Sequence, residues 1–196
     1  MKQFLLPQKK SFTLIELVVS VTIIGLLSAM MIPKVMQGID KSRVASVVTD
    51  SRNIRNAAYA MYADTGLWPG SNWSDDTGTD PLAGAAGGEG FTFKGTNPHM
   101  PSTWAGPYLE AWHKNAWGSW YWWDYNETDQ NGDGVGNEHV LWVDNSYGNT
   151  KRIPLNMRTK IDQTLDDGNL HSGTIQVWQG DDTSGNLGYI LIQGFS

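Results

Sequence analysis

The fold is decided by the stretch from Phe12 to Ile32, which reads FTLIELVVSVTIIGLLSAMMI. It contains 21 residues and a single charge, that of Glu16. A helix of this length spans roughly 30 Å, the thickness of the hydrocarbon layer of a bilayer. A charge in such a segment costs roughly 2.5–3.5 kcal/mol at the membrane centre and less near its edge. The stretch therefore predicts a membrane helix in which another interaction offsets the charge of Glu16.

The composition of the chain excludes several classes of protein. Its 196 residues carry a net charge of −6, and the part that follows the basic residues 1–11 is more acidic still, which argues against a nucleic-acid binder. The absence of cysteine excludes disulfides and thiolate chemistry. The four histidines lack metal-ligand spacing, and the sequence has no nucleophile elbow, phosphate loop or metalloprotease helix. We therefore expect no enzyme.

Four segments follow from the distribution of charge and apolar residues. Residues 1–11 form a basic leader, and residues 12–33 form the membrane half of a long helix. Pro33 ends the apolar segment and is expected to kink the helix axis, because proline removes a helical hydrogen bond. Residues 34–66 form an amphipathic helix that ends near Gly66. Residues 67–196 form a globular head. The apolar stripe of the amphipathic helix consists of Val44, Val47, Val48, Ile54, Ala58, Met61 and Tyr62.

The head has the pattern of an α+β domain. Residues 70–103 predict a long loop rich in glycine and small polar residues, and Met157, Ile161 and Leu165 predict a short helix closed by Gly168. We therefore expect a long N-terminal helix packed on a small antiparallel β-sheet. The predicted strands are Trp120–Trp123, Val140–Val143, Thr174–Trp178 and Tyr189–Gln193.

The N-terminal stretch admits three interpretations. A secretory signal peptide would need a cleavage site of small residues after the apolar run, and SAMM at 28–31 fits that site poorly. A plain membrane anchor fits the length but leaves Glu16 without a role. The third interpretation is a resemblance: KKSFTLIELVVS, at residues 9–20, resembles the cleavage and methylation signal of the type IV pilin-like superfamily.

This resemblance implies processing and assembly. The leader would be cut between Ser11 and Phe12 by a prepilin peptidase, and the new amine of Phe12 would be methylated. Ser11 stands where most of the family has glycine. The carboxylate of Glu16 would neutralise the amine of a neighbouring subunit and so set the register of a filament, because opposite charges attract strongly at low dielectric. The alternative is that Glu16 pairs with its own amine or lies at the lipid interface.

A second informative stretch, DYNETDQNGDGVGNEHVLWVD at 124–144, is rich in acidic residues and glycine. It begins like an EF-hand loop, but its end does not fit that motif, because Glu138 comes two residues early. Since calcium takes about six to eight oxygen ligands from a loop that can wrap around it, we expect a Ca²⁺ loop of another geometry. An Asx-rich turn is the alternative. The predicted ligands are Asp129, Asn131, Asp133, Val135 and Glu138, with Asp124 and Asp144 as further candidates.

The head also resembles a particular pilin-like family. GPYL at 106–109, NAWGSWY at 115–121 and the acidic loop are similar to the major pseudopilin of type II secretion systems, which places a tryptophan-glycine turn before a calcium loop. The chain departs from that family at Ala116, where proline is usual. It also departs in the glycine-rich loop and in the roughly 50 residues that follow the calcium loop.

Two functions follow from these resemblances. The first is a structural subunit of a secretion pseudopilus, anchored once in the bacterial inner membrane with its head in the periplasm. Its partners would be copies of itself, other pilins or pseudopilins and the inner-membrane assembly platform. The second is a pilin or minor pilin with an adhesive head, because six tryptophans lie between residues 104 and 123 and aromatic rings can stack on sugars. Such rings more often pack a core or a subunit interface.

Overall fold

The computed structural model of the chain describes five stretches, and the statements below concern these alone: residues 12–69, 101–126, 138–144, 152–178 and 186–192. The chain divides into two compact units, residues 1–41 and 42–196. The boundary between them falls within the long N-terminal helix, so each unit contains a part of that helix.

Helix α1 is continuous from Leu14 to Thr65. Pro33 lies inside it, and the membrane half and the amphipathic half form one long helix, as predicted. A proline removes only one backbone donor, and the hydrogen bonds of the turns on either side keep the chain helical. The predicted end near Gly66 is confirmed: Gly66 has a φ of +70° and its N–H donates to the carbonyl of Tyr62 at 2.8 Å. Glycine adopts this left-handed conformation without steric cost.

The C-terminal half of α1 packs on the head through one face. Its buried residues recur at spacings of three and four, as the sequence pattern predicts. Tyr62 is an exception, because it is 40% exposed and stacks on Trp68, with ring centroids 4.2 Å apart. The buried face consists of Val44, Val47, Val48, Ser51, Ile54, Ala57, Ala58 and Met61.

The described part of the head contains a four-stranded antiparallel sheet in the order β1-β2-β4-β3. The α+β prediction is therefore confirmed, and each observed strand overlaps a predicted one. Strand β4 lies between β2 and β3, so the last strand in sequence occupies an inner position. The strands are β1 Trp122–Asn126, β2 Glu138–Asp144, β3 Ile175–Trp178 and β4 Asn186–Ile192.

Helix α2, Leu155–Leu165, is the predicted short helix. Met157 and Ile161 are buried, as expected, and Gly168 has a φ of +84° shortly after the helix ends. Two polar side chains of α2, those of Arg158 and Asp162, are also fully buried, which the apolar pattern did not indicate.

One hydrophobic cluster joins these elements within residues 42–196. It contains apolar side chains from the buried face of α1, from α2 and from the sheet. Trp123 and Leu141, which are cross-strand partners on β1 and β2, both belong to it. Because residues on one strand alternate between faces, their neighbours Asp124 and Val140 lie on the other face of the sheet.

Candidate functional site

The first turn of α1 is closed by reciprocal hydrogen bonds between Thr13 and Glu16. The backbone N–H and the hydroxyl of Thr13 both donate to Oε2 of Glu16, at 2.9 and 2.8 Å. The N–H of Glu16 donates to the hydroxyl of Thr13 at 3.3 Å. This arrangement is a capping box, in which the residue before the helix and the third helical residue satisfy each other's donors. Its signature, T-x-x-E, stands at residues 13–16 of the sequence.

The capping box gives Glu16 a role within its own chain. Its carboxylate accepts two hydrogen bonds and stands in the first helical turn, where the helix dipole stabilises negative charge. Part of the cost of placing this charge at the edge of an apolar segment is therefore offset locally. Phe12 directly precedes the box and is 83% exposed, whereas Ser11 lies outside the described residues.

The N-terminal half of α1 presents apolar side chains on all sides. Every large apolar side chain from Phe12 to Met36 is at least 50% exposed. The hydroxyls of Ser20 and Thr22 donate to backbone carbonyls one turn earlier, at 2.7 and 2.8 Å, so neither needs water. The helix has the length and composition to cross a membrane. A surface of this kind is stable only when lipid or other protein covers it.

The predicted calcium loop lies mostly outside the described residues, which include neither Asp129, Asn131, Asp133 nor Val135. Its two ends are described: Asn126 of β1 pairs with Glu138 of β2 at the base of the loop. Glu138 is fully buried. Asp124 lies two residues back along β1 and accepts a hydrogen bond from Nε1 of Trp142 at 3.3 Å. The involvement of Glu138 and Asp124 in calcium binding stays a prediction.

Asp144 was a further candidate ligand of this loop, and the structure contradicts that assignment. It lies six residues along β2 from Glu138, a separation of roughly 20 Å at the rise of an extended strand. Two ligands of one calcium ion lie at most about 5 Å apart, because each is about 2.3–2.6 Å from the ion. Asp144 and Glu138 therefore cannot bind the same ion.

Asp144 instead forms a buried ion pair with Arg158 of α2. Its Oδ2 lies 2.6 Å from Nη2 of Arg158, both side chains are 0% exposed, and the N–H of Ile153 also donates to Oδ2. Arg158 completes the arrangement by donating through Nε to the carbonyl of Ile153 at 2.9 Å. Burial raises the pKa of Asp144, and the charge of Arg158 opposes that shift. The pair connects the end of β2 to α2.

Five of the tryptophans between residues 104 and 123 are partly or fully buried. Trp123 is almost fully buried and donates through Nε1 to the carbonyl of Pro69 at 2.8 Å. Trp112 donates to the carbonyl of Tyr121 and packs on the core. Trp120 differs, being 46% exposed with Nζ of Lys114 5.0 Å from its ring centroid. The expectation that tryptophans of this region pack is thus confirmed for Trp112 and Trp123.

A polar contact links α1 to the loop before β1 and was not apparent from the sequence. Oδ2 of Asp50 accepts a hydrogen bond from the hydroxyl of Tyr121 at 2.9 Å and lies 3.5 Å from Nε2 of His113. Burial raises the pKa of Tyr121, and the charge of Asp50 adds to the shift, so the phenol stays protonated and donates. The three side chains line a cavity of about 230 Å³ together with Trp112 and Leu109.

Comparison with known proteins finds two family matches, one that includes the start of α1 and one that includes its end. Residues 6–32 match the prokaryotic N-terminal methylation motif. Residues 38–135, half of the chain, match the family described as PilW, C-terminal. No solved structure matches the chain.

Several curated proteins are similar to the chain. The type IV major fimbrial protein FimA of Dichelobacter nodosus is 36% identical over 96 residues, which cover 44% of this chain and 62% of FimA. The fimbrial protein EcpC of Eikenella corrodens is 33% identical over 64 residues, covering 33% of this chain and 42% of EcpC. The type II secretion system core protein G of Vibrio cholerae is 27% identical over 114 residues, covering 58% of this chain and 69% of that protein.

The chain spans less than two thirds of the length of FimA and of EcpC. This chain combines a methylation motif, an exposed apolar helix and a small α+β head, and the proteins it is similar to are fimbrial proteins and a secretion system core protein rather than enzymes. The chain belongs to the type IV pilin-like superfamily, with an N-terminal methylation motif and a PilW C-terminal domain, and it is not an enzyme.

Proposed function

We propose that this chain is a structural subunit of a type IV pilus-like filament. The observation that carries the proposal is the apolar half of α1, which is exposed on all sides and has Glu16, hydrogen-bonded to Thr13, in its first turn. Such a helix is stable in a membrane before assembly and among copies of itself afterwards. Before assembly the chain would cross the bacterial inner membrane once, with its head in the periplasm.

The proposed maturation is cleavage between Ser11 and Phe12 by a prepilin peptidase, followed by methylation of the Phe12 amine. Intact-mass and N-terminal peptide analysis of membrane fractions tests this step. The expected mature protein starts at methylated Phe12. Retention of residues 1–11, or a cut after Ala29, would contradict the proposal.

In the filament, we propose that Glu16 pairs with the amine of Phe12 in a neighbouring subunit. Cleavage turns the amide N of Phe12 into a cation, and an ion pair in a low-dielectric filament core fixes the axial register. Glu16→Ala should leave the protein in the membrane but reduce filament yield, because the helix stays apolar. Glu16→Asp should be intermediate, since its carboxylate is about one bond short. Thr13→Val separates the pairing of Glu16 with a neighbouring subunit from its role in capping α1, because the substitution removes only the hydroxyl that bonds Glu16.

In finer terms, we propose that the filament is the pseudopilus of a type II secretion system. The similarity to core protein G supports this, because it covers 58% of this chain, against 44% for FimA. Loss of secretion of the system's exoproteins after deletion of the gene, with surface pili unchanged, is the expected outcome. Loss of surface pili with normal secretion would favour a pilus subunit, whose partners would be other pilins.

A second candidate is a pilin or minor pilin with an adhesive head. Exposed aromatic rings favour it: Trp120 is 46% exposed, and the partly exposed Tyr62 and Tyr59 both contact the ring of Trp68. Flat aromatic surfaces of this kind can stack on sugars. A glycan array probed with the detergent-solubilised protein tests the idea, with Trp120→Ala as the variant. Binding that is lost in this variant would support the adhesive function, and no binding to any glycan would oppose it.

We also propose that the loop from Asp129 to Glu138 binds Ca²⁺. Its oxygen-rich, glycine-rich sequence supports this, and the antiparallel pairing of β1 with β2 holds its two ends together. Calcium should stabilise the protein by about 2.7 kcal/mol at a hundredfold excess over Kd. Thermal melts in millimolar CaCl₂ and in chelator, for the parent and for Asp133→Asn, measure this contribution. An unchanged calcium response in Asp133→Asn would mean that the loop is only a turn.

A further inference from the structure

The end of helix α2 brings three carboxylates together outside the loop discussed above. They belong to Asp162, in the last turns of the helix, and to Asp166 and Asp167, which follow it. One oxygen from each side chain lies within 4.8 Å of the others. This spacing matches oxygens around one calcium ion, because each would lie about 2.3–2.6 Å from the metal.

Asp162 is the unusual member of this cluster. Its side chain is 0% exposed, and neither of its carboxylate oxygens makes a hydrogen bond of normal geometry. A buried carboxylate without compensation is costly, since it has lost its hydration. Burial raises the pKa of Asp162 to about 6, the N–H of Gly168 opposes this shift, and the charges of Asp167 and Asp166 add to it. A cation at this point would supply the missing compensation.

The other two carboxylates are held in place by the loop. Oδ2 of Asp166 accepts hydrogen bonds from the N–H groups of Thr174 and Ile175, which leaves Oδ1 without a hydrogen bond from the described residues. Asp167 accepts from the N–H of Asn169 at 2.7 Å and from the hydroxyl of Ser172 at 2.8 Å. Both side chains are thus oriented without a metal.

The backbone around the cluster also suits a cation. The C-terminus of α2, at Leu165, carries the negative end of the helix dipole, which favours positive charge. Gly173 has a φ of +78°, and a Cβ at that position would overlap Oδ2 of Asp166. The close approach of the loop to Asp166 therefore depends on glycine.

From this geometry we propose that Asp162, Asp166 and Asp167 bind a calcium ion at the end of α2. The ligands are hard carboxylate oxygens, which Ca²⁺ prefers, and Ca²⁺ accepts a wider range of coordination geometries than Mg²⁺, which demands near-ideal octahedral geometry. None of these three residues belongs to the loop from Asp129 to Glu138.

The test is calcium binding by the full-length protein in detergent, stripped with chelator and titrated with CaCl₂ by calorimetry. The informative variants are Asp162→Asn, which removes the buried charge, and Asp167→Asn, which changes an exposed residue and keeps the oxygen that accepts from Asn169. The control is Asp133→Asn in the other loop. We expect one calcium site to disappear in Asp162→Asn and to weaken at least about tenfold in Asp167→Asn, because affinity depends on the number of charged ligands. That site should remain in Asp133→Asn.

Melting temperatures give a second readout. In chelator, Asp162→Asn should melt no lower than the parent, because it removes an uncompensated charge. In CaCl₂ the parent should melt at a higher temperature than Asp162→Asn. MgCl₂ at the same concentration should produce less stabilisation. Calcium stoichiometry and affinity that are the same in the parent, Asp162→Asn and Asp167→Asn would overturn the proposal. Absence of calcium binding in both the parent and Asp133→Asn would overturn it equally.

Discussion

Replacing Arg158 by methionine should be among the most destabilising changes available in the head. The guanidinium of Arg158 holds Oδ2 of Asp144 at 2.6 Å and also donates to the carbonyl of Ile153, in surroundings where neither charged side chain is exposed. Methionine keeps a similar length and helix propensity but supplies no donor. The substitution therefore leaves a carboxylate in the core with the N–H of Ile153 as its remaining hydrogen-bond partner.

The expected cost is about 3–5 kcal/mol, the range for removing one member of a buried ion pair. In a domain of this size that loss lowers the melting temperature by roughly 6–20 °C. The cost should also depend on pH. Without Arg158 the pKa of Asp144 in the folded protein rises further above its value in the unfolded chain. The free energy of unfolding therefore falls progressively as the pH rises from the unfolded pKa to the folded pKa. The deficit relative to the parent should be larger at pH 8 than at pH 5.

Urea denaturation of the detergent-solubilised protein, followed by tryptophan fluorescence, measures this cost. Trp123 is almost fully buried and reports on the core of the head. Lys160→Met is the matched control, because Lys160 is an exposed cation on the same helix. It should change the free energy of unfolding by less than about 0.5 kcal/mol.

The double variant Arg158→Met with Asp144→Leu separates the pair from the general effect of changing α2. Because both charges are then absent, its destabilisation should be well below the sum of the two single variants, with a residual loss from the unpaired N–H and carbonyl of Ile153. If the two single effects simply add, or if Arg158→Met behaves like Lys160→Met, the side chains of Arg158 and Asp144 are not coupled in the folded head.

Two further substitutions test packing and the contact between α1 and the loop before β1. Gly188→Ala should lower the free energy of unfolding in urea by about 1–3 kcal/mol, because the new Cβ would lie 2.8 Å from the ring of Trp142. Gly38→Ala, in open space on α1, should be neutral or stabilising. Equal effects of the two substitutions would contradict the predicted clash with Trp142. Tyr121→Phe should lower the free energy of unfolding by about 1 kcal/mol through loss of the hydrogen bond to Asp50, and the same change at the exposed Tyr59 should cost little. A Tyr121→Phe variant as stable as the parent would mean that this hydrogen bond does not stabilise the head.

The sequence by itself determined the features that depend on neighbouring residues. The apolar run from Phe12 to Ile32 and the stripe after Val44 established α1, because side-chain periodicity along a helix is a local property. The strands and α2 followed in the same way, each within a few residues of its observed bounds. The capping box of Thr13 and Glu16 could also have been predicted, since both residues lie within one turn.

Only the tertiary structure decided which distant residues meet. The position of β4 between β2 and β3 follows from pairing between segments far apart in sequence, and the contact of Asp50 with Tyr121 spans 71 residues. Asp144 shows the difference most clearly. In the sequence it is one carboxylate among several near an acidic loop. The direction of β2 separates it from Glu138 by roughly 20 Å, and packing of α2 places it against Arg158, so it pairs with a buried cation and lies too far from Glu138 to share an ion with it.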